Sequence, residues 1–301
     1  MEAGSEPGRR RDPHHVALVV EGGGMRGVVS AGMTAALERL GLTPCFDLVV
    51  GASAGAINGA ALIAGVAREG AAAYCGPFAS RRFVNPARAL RGRPVMDLDY
   101  VLDYATAELD AERHERVLAS PIRLHCVAVS VETAEPVTFS GMRSKRELYD
   151  AVLASSRMPL AGGAPLEIDG RRFVDGGLGA PIPVREALAA GATHVLALQT
   201  RPYGVPRRGA SRAADVLIVR HLRRLNPALA TLYRERVTAY ECVVTDIARR
   251  SSDPESGPPH VLGLRPAAGT PVVGQLERRP EVLADAAREA ESVVEKTLSR
   301  R

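Results

Sequence analysis

The sequence predicts an α/β fold with a mainly parallel central sheet flanked by helices, on three observations. Short, wholly apolar runs alternate with longer helix-like segments through the first half of the chain. Glycine clusters stand where a run ends and a helix begins, at Gly22–Gly24 and again at Gly51–Gly55. The composition suits a folded core: 301 residues, 46% hydrophobic and 24% charged, with a mean hydropathy of −0.03.

Residues 1–15 are polar, with Arg9, Arg10 and Arg11 but no apolar stretch behind them. They read as a disordered tail and not as a secretory signal. Val16–Val20 is a short buried strand, and Val28–Leu40 a helix stopped by Gly41. Phe46–Val50 is a second buried strand, followed by a small-residue helix to about Ala67. Ile122–Val131 and Val137–Phe139 pair across a turn, Lys145–Ser155 is helical, and Arg172–Val174 is a short strand. Val184–Ala190 is a helix and His194–Leu198 the last core strand. After Thr200 the texture changes: Pro202, Pro206 and Gly209 mark a linker, and helical patterns run from Ala213 to Arg250. Val261–Leu264 is a candidate strand and Pro280–Leu298 a closing helix. Residues 16–200 are therefore expected to carry the chemistry, and residues 201–301 to form a mostly helical extension packed on them.

Several function classes drop out. No apolar run reaches the ~18 residues that span a bilayer. The four cysteines are far apart, with no C-x-x-C pair, against a zinc site or a disulfide framework and in favour of a reducing cytoplasm. The net charge of +5 is too diffuse to imply nucleic acid as a partner, although an anionic membrane surface or substrate stays open.

Glu21-Gly22-Gly23-Gly24-Met25-Arg26-Gly27 satisfies G-x-G-x-x-G between a strand and a helix. Converging backbone N–H groups there stabilise negative charge. Dinucleotide binding would want an acid at the tip of the second strand, and Gly51-Ala52-Ser53 offers none. An oxyanion hole uses the same geometry. Gly51-Ala52-Ser53-Ala54-Gly55 matches G-x-S-x-G at another strand-to-helix junction, the context that thrusts a serine hydroxyl outward. Without that strand, Ser53 would read as a helix cap. None of the seven histidines sits in a Gly-rich turn after a strand. Asp175-Gly176-Gly177 does end one, so Asp175 is the candidate base, with a turn aspartate as the plain alternative.

These residues together resemble the patatin-like phospholipase family of serine acyl hydrolases. Its pattern is D-G-G-G-x-R-G, then a G-x-S-x-G elbow, then a late D-G-[AG] turn. Ala154-Ser155-Ser156-Arg157-Met158-Pro159 looks like a fourth family block, and the match covers roughly residues 16–200. Glu21 replaces the common aspartate, and Gly177 follows Asp175-Gly176, a frequent variant. The resemblance implies a three-layer fold and a Ser–Asp dyad: Ser53 as nucleophile and Asp175 as proton acceptor. It further implies an oxyanion hole from Gly22, Gly23, Gly24 and Ala54. Arg26, Gly27, Gly51, Gly55, Gly176 and Gly177 would support the motifs, Arg26 either bracing the loop or meeting a phosphate. No metal or other cofactor is expected.

By the same resemblance the substrate is a fatty acyl ester of a phospholipid or related lipid. An acyltransferase or thioesterase using the dyad is the alternative, as is a regulatory protein that keeps the fold without the activity. Residues 74–104 would cover the site, with Phe78, Phe83, Val84, Met96, Leu98 and Tyr100 either lining an acyl channel or forming ordinary core. From Arg201 to Arg224 there are seven arginines against the single acid Asp215, so this segment holds the whole basic excess. Ile218, Leu222, Leu225, Leu229 and Leu232 form an apolar stripe at helical spacing. Such a stripe either packs on the core, with its arginines in water, or docks peripherally on an anionic membrane.

Overall fold

The computed structural model describes residues 5–107, 112–207, 209, 211–253 and 257–298. Eight strands form one sheet: β1 (Val16–Val20), β2 (Leu48–Ala52), β3 (Arg123–Ser130), β4 (Pro136–Phe139), β5 (Leu166–Ile168), β6 (Arg171–Asp175), β7 (His194–Leu198) and β8 (His260–Leu264). β1 lies between β2 and β7, parallel to both, and β3 and β8 extend the parallel part on either side. β4 and β6 pair antiparallel with β3, and β5 pairs antiparallel with β6.

The helices are α1 (Gly27–Arg39), α2 (Ala54–Ile63), α3 (Ala67–Cys75), α4 (Leu98–Ala107), α5 (Arg113–Ala119), α6 (Lys145–Ser156), α7 (Val184–Ala189), α8 (Arg212–Leu225), α9 (Pro227–Ser251) and α10 (Pro280–Leu298). Side chains alternate across a strand, so a fully apolar strand feeds two cores. Leu18 and Val20 of β1 pack with α1, α2, α3, α6 and α10, whereas Ala17 and Val19 pack with α7 and α9. A helix layer on each face of the sheet makes three layers.

One detail of register positions the site. Val127 of β3 pairs with Ala52 of β2 on one edge and with Thr138 of β4 on the other. The next residue, Ala128, pairs with Val137 of β4 and with Asp175 of β6. β2 and β6 therefore share an edge of β3, approach each other head-on, and end at adjacent rungs.

Some expectations need correction. The stretch expected as a tail lies on the domain from residue 5 onward, with Arg10 Nε on Asp47 Oδ1 at 2.7 Å; residues 1–4 lie outside the described residues. The helix after Ser53 stops at Ile63, and α3 follows as a separate helix beyond Gly65, whose φ is 71°. The pattern from Ala213 onward is two helices, because Asn226 caps and Pro227 opens α9. Its apolar stripe is not a lipid-facing surface: Leu222 and Leu229 are fully buried among Val129, Val131 and Val174, with Ile218, Leu225 and Leu232 beside them. Arg208, counted in that basic segment, lies outside the described residues.

Residues 201–301 also do more than cover the outside. β8 enlarges the sheet, and the Gln275 carbonyl accepts the Met25 N–H at 3.0 Å, bracing the glycine-rich turn.

Candidate active site

Ser53 sits directly after β2 and before α2, with φ 57° and ψ −131°. That conformation is strained for any residue with a Cβ, and it turns the chain sharply enough to project the side chain. The glycines on either side make room for it. A Cβ on Gly55 would overlap the Val20 carbonyl, and one on Gly51 would meet the start of α2.

The end of α6 clamps the turn. The Ser53 N–H donates to the Ser155 carbonyl at 3.1 Å and to the Ser155 hydroxyl at 2.8 Å. That hydroxyl in turn donates to the Val127 carbonyl at 2.6 Å. Two residues on, the Arg157 carbonyl accepts the Asp175 N–H at 3.1 Å. The last carbonyls of a helix lack partners inside it, and here two of them hold the two residues singled out by the sequence. Ser155 and Arg157 belong to the block around Ala154–Pro159, but nothing local in the sequence gives them this role.

Asp175 is buried at the end of β6. Its Oδ1 accepts the Gly177 N–H at 2.7 Å, and a Cβ on Gly176 would overlap the Val127 carbonyl. Oδ2 has no hydrogen-bond partner of regular geometry among the described residues. The Ser53 hydroxyl is nonetheless close enough to favour the charged carboxylate. Together these place the hydroxyl near the carboxylate but out of hydrogen-bond alignment. Burial pushes the Asp175 pKa up to about 6, against the pull of Ser53, the Gly177 N–H and the charge of Arg207.

The glycine-rich turn lies opposite. Gly23 and Gly24 have φ of 143° and 58°. The N–H groups of Gly22, Gly23, Gly24 and Ala54 make no hydrogen bond among the described residues, which leaves them available to an anion. Glu21 and Arg26 brace the turn from behind: Arg26 Nε donates to Thr200 Oγ1 at 3.0 Å and Nη2 stands 3.9 Å from Glu21 Oε1. Glu21 Oε2 accepts the Thr200 N–H at 2.6 Å and the Tyr240 hydroxyl at 3.4 Å. The Gly27 carbonyl accepts from Asn58 at 2.9 Å, tying the turn to α2.

Gly22, Gly23, Arg26, Ser53, Asp175 and Gly177 line one cavity of about 400 Å³. Its far wall comes from beyond residue 200 and includes Arg201, Arg207, Leu217, Arg236 and Gln275, which sequence reasoning did not assign to the site. Gly24, Ser53 and Ala54 also line a smaller apolar pocket of about 30 Å³. Of the insertion residues, Phe78, Phe83, Met96 and Leu98 line it and are also core residues, whereas Val84 is core alone and Tyr100 packs against that core half-buried. A third, mainly apolar cavity of about 120 Å³ shares Ile57, Tyr74, Phe78 and Val101 with that pocket. None of these cavities brings a histidine to Ser53; His114 lines the third. His14, His194 and His260 cluster at the opening residues of β7 and β8, with neighbouring ring centres 4.6 and 4.9 Å apart.

A family model described as patatin-like phospholipase matches residues 18–188. The uncharacterized protein YjjU of Escherichia coli (strain K12) is 32% identical over 195 residues, which is 63% of this chain and 53% of the relative. The chain thus spans about half the length of that curated relative. Among solved structures, VipD from Legionella pneumophila is similar at a TM-score of 0.49 and 13% identity, over 95% of this chain and 67% of that one.

Proposed function

The chain belongs to the patatin-like phospholipase family, and on that premise we propose that it is a serine acyl hydrolase acting on lipid esters. Asp175 takes the Ser53 proton as the hydroxyl oxygen attacks the acyl carbonyl. The free N–H groups of Gly23, Gly24 and Ala54 receive the oxyanion, at roughly 3–4 kcal/mol for a good donor. The ester C–O bond then breaks, and the leaving alkoxide takes the proton held on Asp175. Water repeats the sequence on the acyl-enzyme, giving its proton to Asp175, and Ser53 regains a proton when the fatty acid leaves.

The observation that carries this reading is the head-on approach of β2 and β6 along one edge of β3, with Ser53 following Ala52 and Asp175 on the adjacent rung. A raised pKa suits Asp175 to the task, since an ordinary aspartate is too weak a base to activate a hydroxyl. The apolar pocket that starts at Ser53 supports a fatty acyl chain as the group transferred.

No helix among the described residues is long and apolar enough to cross a membrane. The protein would meet its lipid from the surface. Leu160 and Leu217 line the larger cavity and are exposed, with Val216 exposed beside Leu217. Arg220, Arg223 and Arg224 follow on α8, giving this side an apolar rim with basic flanks. The four free cysteines support a reducing compartment such as the cytoplasm.

The deciding experiment is turnover of a panel of acyl esters by wild-type and Ser53→Ala protein, with labelling by a fluorophosphonate. Turnover and labelling that both vanish in the variant are expected. Equal labelling of the two proteins would remove Ser53 as nucleophile.

A further inference from the structure

The cavity wall built by the last hundred residues holds two arginines that form no direct ion pair among the described residues. Arg201 and Arg207 line the same cavity as Ser53 and Asp175, and both are half-buried. Arg201 Nε and Arg207 Nη1 are shut off from solvent without a hydrogen-bond partner among the described residues. The two guanidinium groups stand 5.8 and 5.3 Å from the centre of the Tyr240 ring, a contact that orients them without neutralising them.

The other charges around the cavity are committed. Arg236 pairs with Asp215 at 3.0 Å and lies over Tyr233. Glu21 is occupied by Thr200, Tyr240 and the facing Arg26. Among the residues that line the cavity, Arg26, Arg201 and Arg207 therefore face Glu21 and Asp175, an excess of one positive charge, and of two whenever Asp175 holds a proton; Glu241, outside that lining, accepts the Arg207 backbone N–H at 2.7 Å. The crowding is felt electrostatically: burial, with Arg201 and Arg207 adding to it against Glu21, brings Arg26 down to about 10.

Cations withdrawn from water without partners are costly. Unpaired guanidinium N–H groups in a cavity wall match a compact anion rich in acceptor oxygens. A phosphate offers more such oxygens than a carboxylate, and up to two charges.

We propose that Arg201 and Arg207 form a subsite for the phosphate of a phosphorylated alcohol leaving group, so that the protein favours acyl esters with a net negative headgroup over neutral or zwitterionic ones. A zwitterionic headgroup would carry its own cation into an already electropositive cavity. Both arginines lie outside the residues matched to the family. The substrate part rests on Ser53 being the nucleophile; the subsite does not.

The test compares 1-acylglycerol 3-phosphate, 1-acylglycerophosphocholine and 1-monoacylglycerol of one chain length, with inorganic phosphate as an inhibitor of p-nitrophenyl ester hydrolysis. Wild-type kcat/KM is expected to favour the anionic ester over the neutral one by tenfold or more. Arg201→Gln with Arg207→Gln should lower that ratio at least tenfold, mainly through KM, and abolish competition by millimolar phosphate. Arg201→Lys and Arg207→Lys, which keep the charge, should give intermediate ratios and serve where the glutamine pair does not fold. Equal loss on all three esters would make the arginines structural and overturn the proposal. Phosphate inhibition that depends on the arginines, with an unchanged ester ratio, would mean a site for the free anion and overturn the substrate assignment. Phosphate-dependent thermal stabilisation of Ser53→Ala protein tests the subsite even if that variant still turns over, a result that would sink the nucleophile and not the subsite.

Discussion

The Ser53 N–H is shared between two oxygens of one residue, the carbonyl and the hydroxyl of Ser155, 102 positions away in the chain. Ser155 is fully buried, and its hydroxyl also ties back to β3 through Val127. The strained turn at Ser53 is thus held from the α6 side as well as by its own strand.

Ser155→Ala removes the hydroxyl and leaves the carbonyl. A lost buried hydrogen bond costs about 1–2 kcal/mol, and we expect a destabilisation of that size in urea unfolding. The turn should also loosen, lowering kcat about tenfold on a soluble short-chain ester with little change in KM. A normal kcat at reduced stability would show that Ser155 supports the fold alone.

Ser53→Ala and Asp175→Asn should each abolish hydrolysis while the circular dichroism spectrum stays native. Because two groups acting as a unit are not additive, the double variant should be little worse than either single one. Replacing any of the seven histidines should cost less than about tenfold, since a general base contributes roughly 10²–10⁴. A histidine variant as inactive as Asp175→Asn would give the proton to a different group.

The base must be ionised to act, so kcat/KM should rise with pH through about 6 and level off above it. Stability moves the other way. Burial raises the folded-state pKa of Asp175 above its usual value, so the native protein binds more protons than the unfolded chain between about pH 4 and pH 6. Wild-type stability relative to Asp175→Asn should therefore fall as pH rises across that window, by a few kcal/mol for a shift of about two units. A flat difference between the two proteins from pH 4 to pH 8 would show that Asp175 is not buried against its charge.

Chain length should be set where the smaller pocket meets the third cavity. Ile57 and Val101 line both, and Ile57→Phe adds bulk at that junction. The preference of the variant should move to shorter acyl chains, with p-nitrophenyl butyrate retained and the palmitate ester lost. Parallel loss of both would put the chain elsewhere.

Vesicle binding separates the basic flank from the apolar rim. Arg220, Arg223 and Arg224 each add about 1 kcal/mol of attraction near an anionic surface, an effect that weakens as salt shortens the Debye length to about 8 Å at 0.15 M. Reversing the three to glutamate should weaken flotation with anionic vesicles, whereas Val216→Ser should weaken it on anionic and neutral vesicles alike. Salt-independent flotation would exclude the electrostatic contribution.

The parts of the candidate site that could be read from the sequence are those written within a few neighbouring residues. The glycine-rich turn, the elbow and the Asp175 turn are short patterns at strand ends, where backbone geometry restricts residue type. The Ser155 clamp joins a side chain to a backbone group 102 positions away, so no local pattern encodes it. Arg201 and Arg207 were legible as charge and not as cavity wall, because an arginine count carries no direction. β5 has three residues, too few for a period. The break between α8 and α9 was written in Asn226-Pro227, a cap followed by a helix opener, but the apolar spacing runs straight through it.

β1, which leads into the glycine-rich turn, is hydrogen-bonded along its other edge to β7, a strand that begins six residues after the family match ends. A fragment cut at that boundary would keep every family motif and still expose a bare, fully apolar strand in the middle of the former sheet. Such an edge recruits other chains. The motif-bearing portion is therefore not a portable module: transplanted alone into a chimera, it should precipitate or pair with itself, and segments reaching past β8 should stay in solution under the same conditions.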